Sequence, residues 1–257
     1  MNNGKVAVVT GAGAGIGRAI ALQLANDGFS LTVNDIRDEM THAVAREARD
    51  LGVECLGVTA DVSSEEQVRK MMDDTFAAHG RIDVLVNNAG ICPVRNFADI
   101  TPEDMLKTFN VNVVSMLLCA QAAVPYMKQR EKGKIINAAS QSAFRQSEFT
   151  MEYGASKWAI RGFTRSLALH LAQYNITVNA YCPGTVRSEM NEHIAQVIGA
   201  RKGISAEEHH QATVRLIPLK RLQPAEDIAK LVSFLASDAA DNMTGQNILL
   251  NGGQVMN

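Results

Sequence analysis

The chain has 257 residues, of which 46% are hydrophobic and 20% are charged, and its formal net charge is −2. These fractions are ordinary for a globular protein and argue against disorder or fibrous repeats. The near-neutral charge argues against nucleic acid as a partner, because binding to a phosphate backbone needs a basic excess. The apolar stretch at residues 111–124 is interrupted by polar side chains and is shorter than the ~20 apolar residues that span a bilayer. No secretory signal is evident, so we expect a cytoplasmic protein without a membrane span.

Short apolar runs rich in β-branched residues recur along the chain, and helical patterns separate them. Such continuous apolar runs are typical of parallel strands that are buried on both faces of a sheet. The predicted strands are residues 5–10, 30–34, 54–59, 82–86, 134–138, 176–180 and 247–250.

Helix signals lie between these runs. Residues 16–26 carry apolar side chains at helical spacing, and residues 63–79 open with Ser63 and Glu66 in capping-box positions. Thr101 and Pro102 are typical of an N-cap and a first helical residue, and residues 224–235 form another helical pattern. Seven strands alternating with helices predict an α/β protein: a doubly wound, parallel, seven-stranded sheet of the Rossmann type, with helices on both faces. We expect residues 1–257 to form one domain.

One segment, residues 185–217, breaks the alternation of strands and helices. It follows the sixth predicted strand and is rich in charged side chains, among them Arg187, Glu192 and Glu207. A long insertion after the carboxyl end of a strand is where a substrate lid would lie. A solvated helix pair without such a role is the alternative.

A glycine-rich loop joins the first predicted strand to the first predicted helix. It reads TGAGAGIG over residues 10–17, with glycines at 11, 15 and 17 and a further one at 13. Glycines let a backbone turn tightly and approach a diphosphate, whose charge the N–H groups of the following helix favour. At this place between strand and helix, the loop predicts a dinucleotide site.

Asp35 ends the second predicted strand, 18 positions after Gly17. A carboxylate at about this distance accepts hydrogen bonds from the hydroxyls of the adenosine ribose, and it would repel a 2′-phosphate. We therefore expect NAD rather than NADP, although the nearby Arg37 keeps NADP open.

Several polar groups follow strands at the edge where open α/β sheets bind ligands. Ser140 ends the fifth predicted strand, and the NNAG segment at residues 87–90 ends the fourth. Tyr153 and Lys157 are spaced to share one face of a helix. A lysine ammonium beside a phenol favours the phenolate, so we expect the pKa of Tyr153 to be lowered toward the range of acid–base catalysis.

Taken with Asn112 and the segments DV (Asp61 and Val62) and PG (Pro183 and Gly184), these motifs resemble those of the short-chain dehydrogenase/reductases. The resemblance covers essentially the whole chain. It implies a sheet ordered 3-2-1-4-5-6-7, an oxidoreductase and, usually, a homotetramer.

The resemblance also implies residue roles. Tyr153 is then the general acid/base, Ser140 binds the substrate oxygen, Lys157 holds the nicotinamide ribose, and Asn112 anchors a water in a proton relay, with Asn110 as the alternative asparagine. The implied cofactor-binding residues are Gly11, Gly15, Ile16, Gly17, Asp35, Asp61, Val62, Asn88, Lys157, Pro183, Gly184, Val186 and Ser188.

The connection from the serine to Tyr153 is polar, with Gln141 directly after Ser140 and Arg145 further on. We expect Ser140, Gln141, Arg145 and Tyr153 to contact a small hydroxylated substrate, because an acyl or steroid substrate favours a more apolar wall. The sequence resembles two bacterial groups of the family, the sorbitol-type polyol dehydrogenases and the acetoin reductases/2,3-butanediol dehydrogenases. The polar residues at 145 and 152 favour a polyol, with acetoin or butanediol as the alternative.

Neither a metal site nor a regulator that only senses a dinucleotide is the function that these motifs favour. The six histidines and four cysteines show no HExxH or CxxC spacing, so we expect reduced thiols and no catalytic metal. A dinucleotide-sensing regulator on the same fold is the alternative from another class. It has no need of the serine, tyrosine and lysine at this spacing, so an enzyme with a small-molecule substrate is the prediction.

Overall fold

The computed structural model describes residues 4–145 and 147–256, and the remaining residues of the expected domain lie outside this range. Its centre is one seven-stranded parallel sheet with the order β3-β2-β1-β4-β5-β6-β7. The predicted fold class and the implied strand order are both confirmed. The strands are β1 (Val6–Val9), β2 (Ser30–Asp35), β3 (Cys55–Thr59), β4 (Val84–Asn87), β5 (Gly133–Ala138), β6 (Ile176–Pro183) and β7 (Asn247–Leu250).

Helices cover both faces of this sheet. Their bounds are α1 (Gly15–Asn26), α2 (Asp38–Asp50), α3 (Glu65–His79), α4 (Pro102–Phe109), α5 (Ser115–Lys128), α6 (Met151–Leu171), α7 (Glu189–Lys202), α8 (Ala206–Leu216) and α9 (Ala225–Ala236). A π-helical segment, Asn110–Val114, joins α4 to α5.

The core is divided by the sheet, because successive side chains of a strand point to opposite faces. In β1, Ala7 and Val9 join a cluster with residues of α1, α2 and α9, whereas Val8 joins one with residues of α3, α5 and α6. The inner strands β1, β2, β4, β5 and β6 are thus buried from both sides, which explains why they are continuous apolar runs, whereas the edge strands β3 and β7 are only partly buried. By length and composition alone, the helical stretch Pro102–Lys128 could span a membrane, but its α5 part packs in the second cluster as a core helix does.

The start of α3 differs from the prediction by one residue. Ser64, not Ser63, is the N-cap, and its hydroxyl accepts a hydrogen bond from the backbone of Gln67. Ser63 is instead held by Asp61, whose carboxylate accepts hydrogen bonds from the Ser63 backbone and hydroxyl. The predicted cap of α4 is confirmed, since Thr101 and Asp104 form a complete capping box.

The parallel sheet brings the carboxyl ends of its strands to one edge, which we call the carboxyl edge. The glycine loop follows β1 there, Asp35 ends β2, the NNAG segment ends β4 and Ser140 follows β5. The segment at residues 185–217 begins at the same edge after β6 and forms α7 and α8. These motifs, which lie far apart in the sequence, therefore meet at a single edge of the sheet.

Candidate active site

The glycine loop leaves the first turn of α1 free for an anion. The N-cap residue is Ala14, whose side chain makes no hydrogen bond to the helix. Within the described residues, the first turn of α1 contains no acidic side chain. Its N–H groups therefore keep their capacity to bind a negatively charged group. The loop also packs too closely for a side chain at Gly17, where a Cβ would lie 2.1 Å from the carbonyl oxygen of Gly11. Both features fit the diphosphate of a dinucleotide.

Asp35 is fixed beside this loop. One carboxylate oxygen accepts the Gly13 N–H at 3.0 Å, and the other accepts the backbone N–H and Nε of Arg37, each at 3.1 Å. Burial alone would raise the pKa of Asp35, but the hydrogen bonds from Arg37 and Gly13 outweigh it and hold the pKa below its usual value. The carboxylate is therefore ionised at neutral pH and 6% exposed, which suits an acceptor for ribose hydroxyls.

Asn88 ties the glycine loop to the neighbouring strands. Its Nδ2 donates to the carbonyl oxygens of Thr10 and Gly11, and its Oδ1 accepts the hydroxyl of Tyr181. The Thr10 hydroxyl in turn accepts the backbone N–H of Asn88. The sequence analysis missed Thr10 and Tyr181. A tyrosine inside a buried strand was the available signal, because its hydroxyl needs a partner.

Other residues that the sequence predicts to bind the cofactor lie along the same edge. Asp61 is partly exposed and Val62 is buried just after β3, next to the turn that leads into α3. At the other side of the loop, the Ser188 side chain comes within 3.8 Å of the Cβ position of Gly15. Ser188 at the start of α7 thus lies beside the glycine loop, whereas Asp61 and Val62 lie where β3 leads into α3.

Tyr153 and Lys157 lie one turn apart on α6, as their spacing predicts. The Lys157 Nζ is 5.3 Å from the centre of the Tyr153 ring and donates to the carbonyl oxygen of Ala138 at 2.6 Å. Burial lowers the pKa of Lys157 to about 8. Burial also raises the pKa of the Tyr153 phenol, and the hydrogen bond with Ser140 offsets only part of this.

The direction of the Tyr153 shift is opposite to the one expected from the sequence. The expectation counted the charge of Lys157 and ignored the burial that both groups share. Because the lysine is itself buried, its ammonium is less stable than in water, and the geometry within the chain does not by itself produce a phenolate.

Asn112 lies in the π-helical segment, where a local change of helix register turns the chain toward the site. Its Nδ2 donates to the Ile91 carbonyl and to the Ser156 hydroxyl, and its Oδ1 accepts the Ile91 N–H. The Ser156 hydroxyl donates to the carbonyl oxygen of Tyr153. Asn112 is fully buried whereas Asn110 is exposed. The structure therefore brings Asn112, not Asn110, to α6, the helix that carries Tyr153. Such π-segments are frequent at functional sites.

Ser140 begins a short 3₁₀ turn, Gln141–Ala143, and its hydroxyl accepts the Ser142 N–H at 3.0 Å. Gln141 is half-buried, and its Nε2 donates to the Oε1 of Gln254 at 3.0 Å. Arg145 is exposed one turn later. Gln141 is thus close to Ser140, whereas the Arg145 side chain faces solvent and is not brought together with the other predicted substrate contacts.

Glu152 is a charged residue that the sequence analysis treated only as part of a polar connection. It is fully buried beside Tyr153, and its Oε1 pairs with Nη1 of Arg95 at 3.0 Å. The second terminal nitrogen of Arg95, Nη2, pairs with Oδ1 of Asp104 in α4 at 2.8 Å. This ion pair joins the segment after β4 to α4 and α6. Spacing gives no signal for it, because its members lie 57 residues apart.

The segment after β6 runs from Pro183 and Gly184 into α7. The Gly184 N–H donates to Leu250 of β7, and Val186 forms a bridge with Gln223. Ser188 is the N-cap of α7, where its hydroxyl accepts the Asn191 N–H. Val186 and Ser188 also line a cleft of about 570 Å³ between α7 and α8. The insertion therefore begins beside the glycine loop and continues as helices α7 and α8.

Comparison with known proteins agrees with this arrangement. A family model described as enoyl-(acyl carrier protein) reductase matches residues 11–254. The chain belongs to the short-chain dehydrogenase/reductase family. It is 38% identical to a diacetyl reductase [(S)-acetoin forming] of Staphylococcus epidermidis, over 98% of each chain. It is also 38% identical to an L-2,3-butanediol dehydrogenase of Corynebacterium glutamicum, over 98% of this chain and 99% of the relative.

Among solved structures, NAD+-bound xylitol dehydrogenase superposes with a TM-score of 0.94 at 33% identity, covering 98% of this chain and 99% of that one. This chain is therefore an oxidoreductase of the family that acts on alcohols and carbonyl compounds. Similar structures contain either NAD+ or NADPH, so a nicotinamide dinucleotide is the shared cofactor. Within residues 4–145 and 147–256, no group of three or more His, Cys, Asp and Glu side chains could hold a metal ion.

Proposed function

We propose that the protein transfers a hydride between NAD(H) and a small polar secondary alcohol or its ketone, with a sugar alcohol and its ketose as the first candidates. The observation that carries the proposal is the convergence of Tyr153, Lys157 and Ser140 at the carboxyl edge, beside the glycine loop and Asp35. A protein that only binds the dinucleotide needs the glycine loop and Asp35, but it does not need the tyrosine, the lysine and the serine. A tyrosine hydrogen-bonded to a serine gives an alcohol a group that can take its proton.

The chain's own residues supply orientation and proton transfer. Ser140 binds the substrate oxygen, and Tyr153 takes the hydroxyl proton while the C–H bond of the same carbon breaks. A nicotinamide dinucleotide held by the glycine loop and Asp35 would supply the acceptor for that hydride, and the positive charge of its oxidised ring would favour the ionised form of Tyr153, which is the form that can take the proton. Lys157 holds the ribose. Asn112, through Ser156, fixes the backbone of Tyr153 and anchors the water of the relay.

NAD is the proposed dinucleotide because the Asp35 carboxylate is ionised and sits within hydrogen-bond reach of the glycine loop. A 2′-phosphate placed there would meet a like charge. Arg37, the basic side chain that could receive such a phosphate, is already paired with Asp35 at 3.1 Å. The remaining proposed cofactor contacts are the backbone of Gly11, Gly15, Ile16 and Gly17, and the side chains or backbone of Asp61, Val62, Asn88, Pro183, Gly184, Val186 and Ser188.

The substrate is proposed to carry an oxygen next to the reacting carbon. Gln141 follows the serine directly, and its side-chain amide has hydrogen-bonding capacity to spare, since its Oε1 is buried without a partner in the part of the chain that the structure describes. A site that binds a substrate hydroxyl rejects analogues without it, because a polar group is then left unpaired. Arg145 is the second candidate for this contact and would have to turn inward from its exposed position.

Acetoin and 2,3-butanediol are the second candidate substrates. The relatives named diacetyl reductase and L-2,3-butanediol dehydrogenase favour them, at 38% identity over nearly the whole chain. The same Gln141 contact serves these molecules, since their two oxygens sit on adjacent carbons.

Assembly, location and the lid complete the proposal. We expect a homotetramer in the cytoplasm, and exposed apolar side chains on α4 to α6 support burial against other copies, with Leu169 83%, Leu106 63% and Trp158 45% exposed. Sedimentation velocity tests the assembly.

The segment at residues 185–217 is proposed to close over the substrate, because it begins at the carboxyl edge, directly after Gly184.

The decisive experiment is a substrate panel with NADH. We expect fructose, sorbose or acetoin to give a higher kcat/KM than 2-butanone, and Gln141→Leu to shrink that preference while turnover of 2-butanone continues. If 2-butanone is the best substrate of the unmodified protein, or if Gln141→Leu leaves the ranking unchanged, the hydroxylated-substrate proposal is wrong.

A further inference from the structure

The C-terminal segment after β7 returns to the active site. It is held against the end of α8, where the Leu219 N–H donates to the Gly252 carbonyl at 3.1 Å. Gly252 has φ +64°, and a Cβ there would lie 2.7 Å from the side chain of Ile217. Asn251 closes the turn by accepting the Gly253 N–H and donating to the Val255 carbonyl. These contacts fix the place from which the Gln254 side chain extends.

Gln254 meets the residue that follows the catalytic serine. Its Oε1 accepts the Nε2 of Gln141 at 3.0 Å, and the Gln141 Oε1 is buried with no hydrogen bond from the described residues. The reverse arrangement of the two amides would bury the Gln141 NH₂ group instead. An orphaned N–H is less well tolerated than an under-satisfied carbonyl. The unpartnered atom of the Gln141 amide is therefore Oε1, which is a hydrogen-bond acceptor.

We propose that Gln254 is a positioning residue that turns the Gln141 amide so that its Oε1 faces the substrate, which selects a hydroxyl next to the reacting carbon over a second carbonyl. The inference rests on the proposed function and narrows its substrate class. An acceptor needs a donor, and the hydroxyl of a polyol, a diol or an acyloin supplies one. In a 1,2-diketone both oxygens are acceptors, so the second carbonyl would face the Gln141 oxygen and leave it unpaired.

A matched pair of substrates tests this directly. Acetoin and diacetyl have the same carbon chain and differ in whether the second oxygen is a hydroxyl or a carbonyl. We expect the unmodified protein to reduce acetoin with a kcat/KM at least about fivefold above that for diacetyl, which corresponds to one unpaired buried polar group.

Two substitutions at the partner separate positioning from a structural role. Gln254→Glu can only accept from Gln141 and should keep or increase the preference for acetoin. Gln254→Lys can only donate, so it should bind the Gln141 Oε1, turn Nε2 toward the substrate and shift the ratio toward diacetyl. Gln254→Arg provides a second donor if the lysine variant folds poorly. Gln173→Glu and Gln173→Lys, at an exposed glutamine beyond α6, are the matched controls and should leave both constants unchanged.

The failures of the two proposals differ. If the unmodified protein binds NADH but reduces no hydroxylated ketone, both the proposed function and this inference are overturned. If acetoin is reduced and Gln141→Leu changes the ranking, but the acidic and basic variants of Gln254 move the ratio in the same direction or not at all, only the role of Gln254 is wrong. A higher kcat/KM for diacetyl than for acetoin in the unmodified protein also overturns it.

Discussion

The two halves of the carboxyl edge use their polar groups differently. On the nucleotide side, formed by the glycine loop, Asp35 and Asn88, the polar side chains are bonded within the chain. On the substrate side, Gln141 and Glu152 each keep a buried oxygen without a partner among the described residues. Buried polar atoms left in this way cost free energy, so they are unusual unless a ligand satisfies them.

We attribute the difference to what each half is proposed to recognise. A diphosphate and a ribose are constant features of the cofactor, so backbone N–H groups and one fixed carboxylate suffice. A substrate is distinguished by where its own oxygens lie, so the side chains that read it need free donors and acceptors. The predictions below test this contrast between side chains that are bonded within the chain and side chains that keep an unpartnered oxygen.

The largest effect is expected at the junction of the two halves. Tyr153→Phe removes the proposed proton-transfer group and should lower turnover ~10²- to 10⁴-fold, while NADH binding changes little because the nucleotide side is untouched. Steady-state kinetics and an NADH titration measure both. Tyr126→Phe is the control, since that hydroxyl bonds Asp73 on an exposed surface. Wild-type turnover in Tyr153→Phe would contradict the proposed mechanism.

The ion pair on the substrate side is expected to matter for stability. Arg95→Met leaves the buried Glu152 charge without its partner, which typically costs ~3–5 kcal/mol of unfolding free energy. Because Arg95 is partly exposed, we expect the lower end, measured by chemical denaturation. Arg69→Met, which breaks an exposed pair with Glu65, should cost less than about 1 kcal/mol.

A second substitution checks the cause of that loss. Adding Glu152→Leu to Arg95→Met should recover part of the stability, because the uncompensated charge is gone. If the double variant is no more stable than Arg95→Met alone, the loss comes from packing rather than charge.

The buried lysine predicts a pH dependence. The pKa of Lys157 is lowered from 10.5 to about 8, so between these values the unfolded chain binds the proton and the folded protein does not. Lys157 should therefore contribute a rise in the free energy of unfolding with pH across that window, of up to about 3 kcal/mol. The four cysteines, whose pKa values burial raises from 9.0 to about 12, contribute a fall above about pH 9, so the contribution of Lys157 is the difference between the slopes of the unmodified protein and of Lys157→Met. Denaturation of the protein without cofactor at pH 8, 9 and 10 measures it. Lys157→Met should remove this rise, and an unchanged slope would assign it to other groups.

The smallest effect is expected in cofactor choice. Asp35→Ala removes the charge that opposes a 2′-phosphate and should shift the NADPH/NADH preference about tenfold toward NADPH, in the range of a like-charge contact. Asp38→Ala, at an exposed aspartate nearby, is the control. An unchanged preference in Asp35→Ala would show that Arg37 or another group decides the cofactor.

The sequence determined the strands, the sheet and the positions of the motifs. Buried parallel strands must be apolar on both faces, so β1 and β5 were visible as runs, and Thr101 with Pro102 marked the start of α4. The cap of α3 was misplaced by one residue because Ser63 and Ser64 offer the same hydroxyl. Only the folded chain shows that Asp61 binds the first of them.

Tertiary structure decided what surrounds each motif. Burial, which raises the pKa of Tyr153, depends on packing from several elements and cannot be read from the spacing to Lys157. Glu152 with Arg95, and Gln141 with Gln254, are 57 and 113 residues apart. Local periodicity carries no information about such pairs, since they form only when distant segments meet at the carboxyl edge. The sequence thus determined the fold and pointed to the proposed site residues, while packing determined their electrostatics and which buried polar atoms have no partner among the described residues.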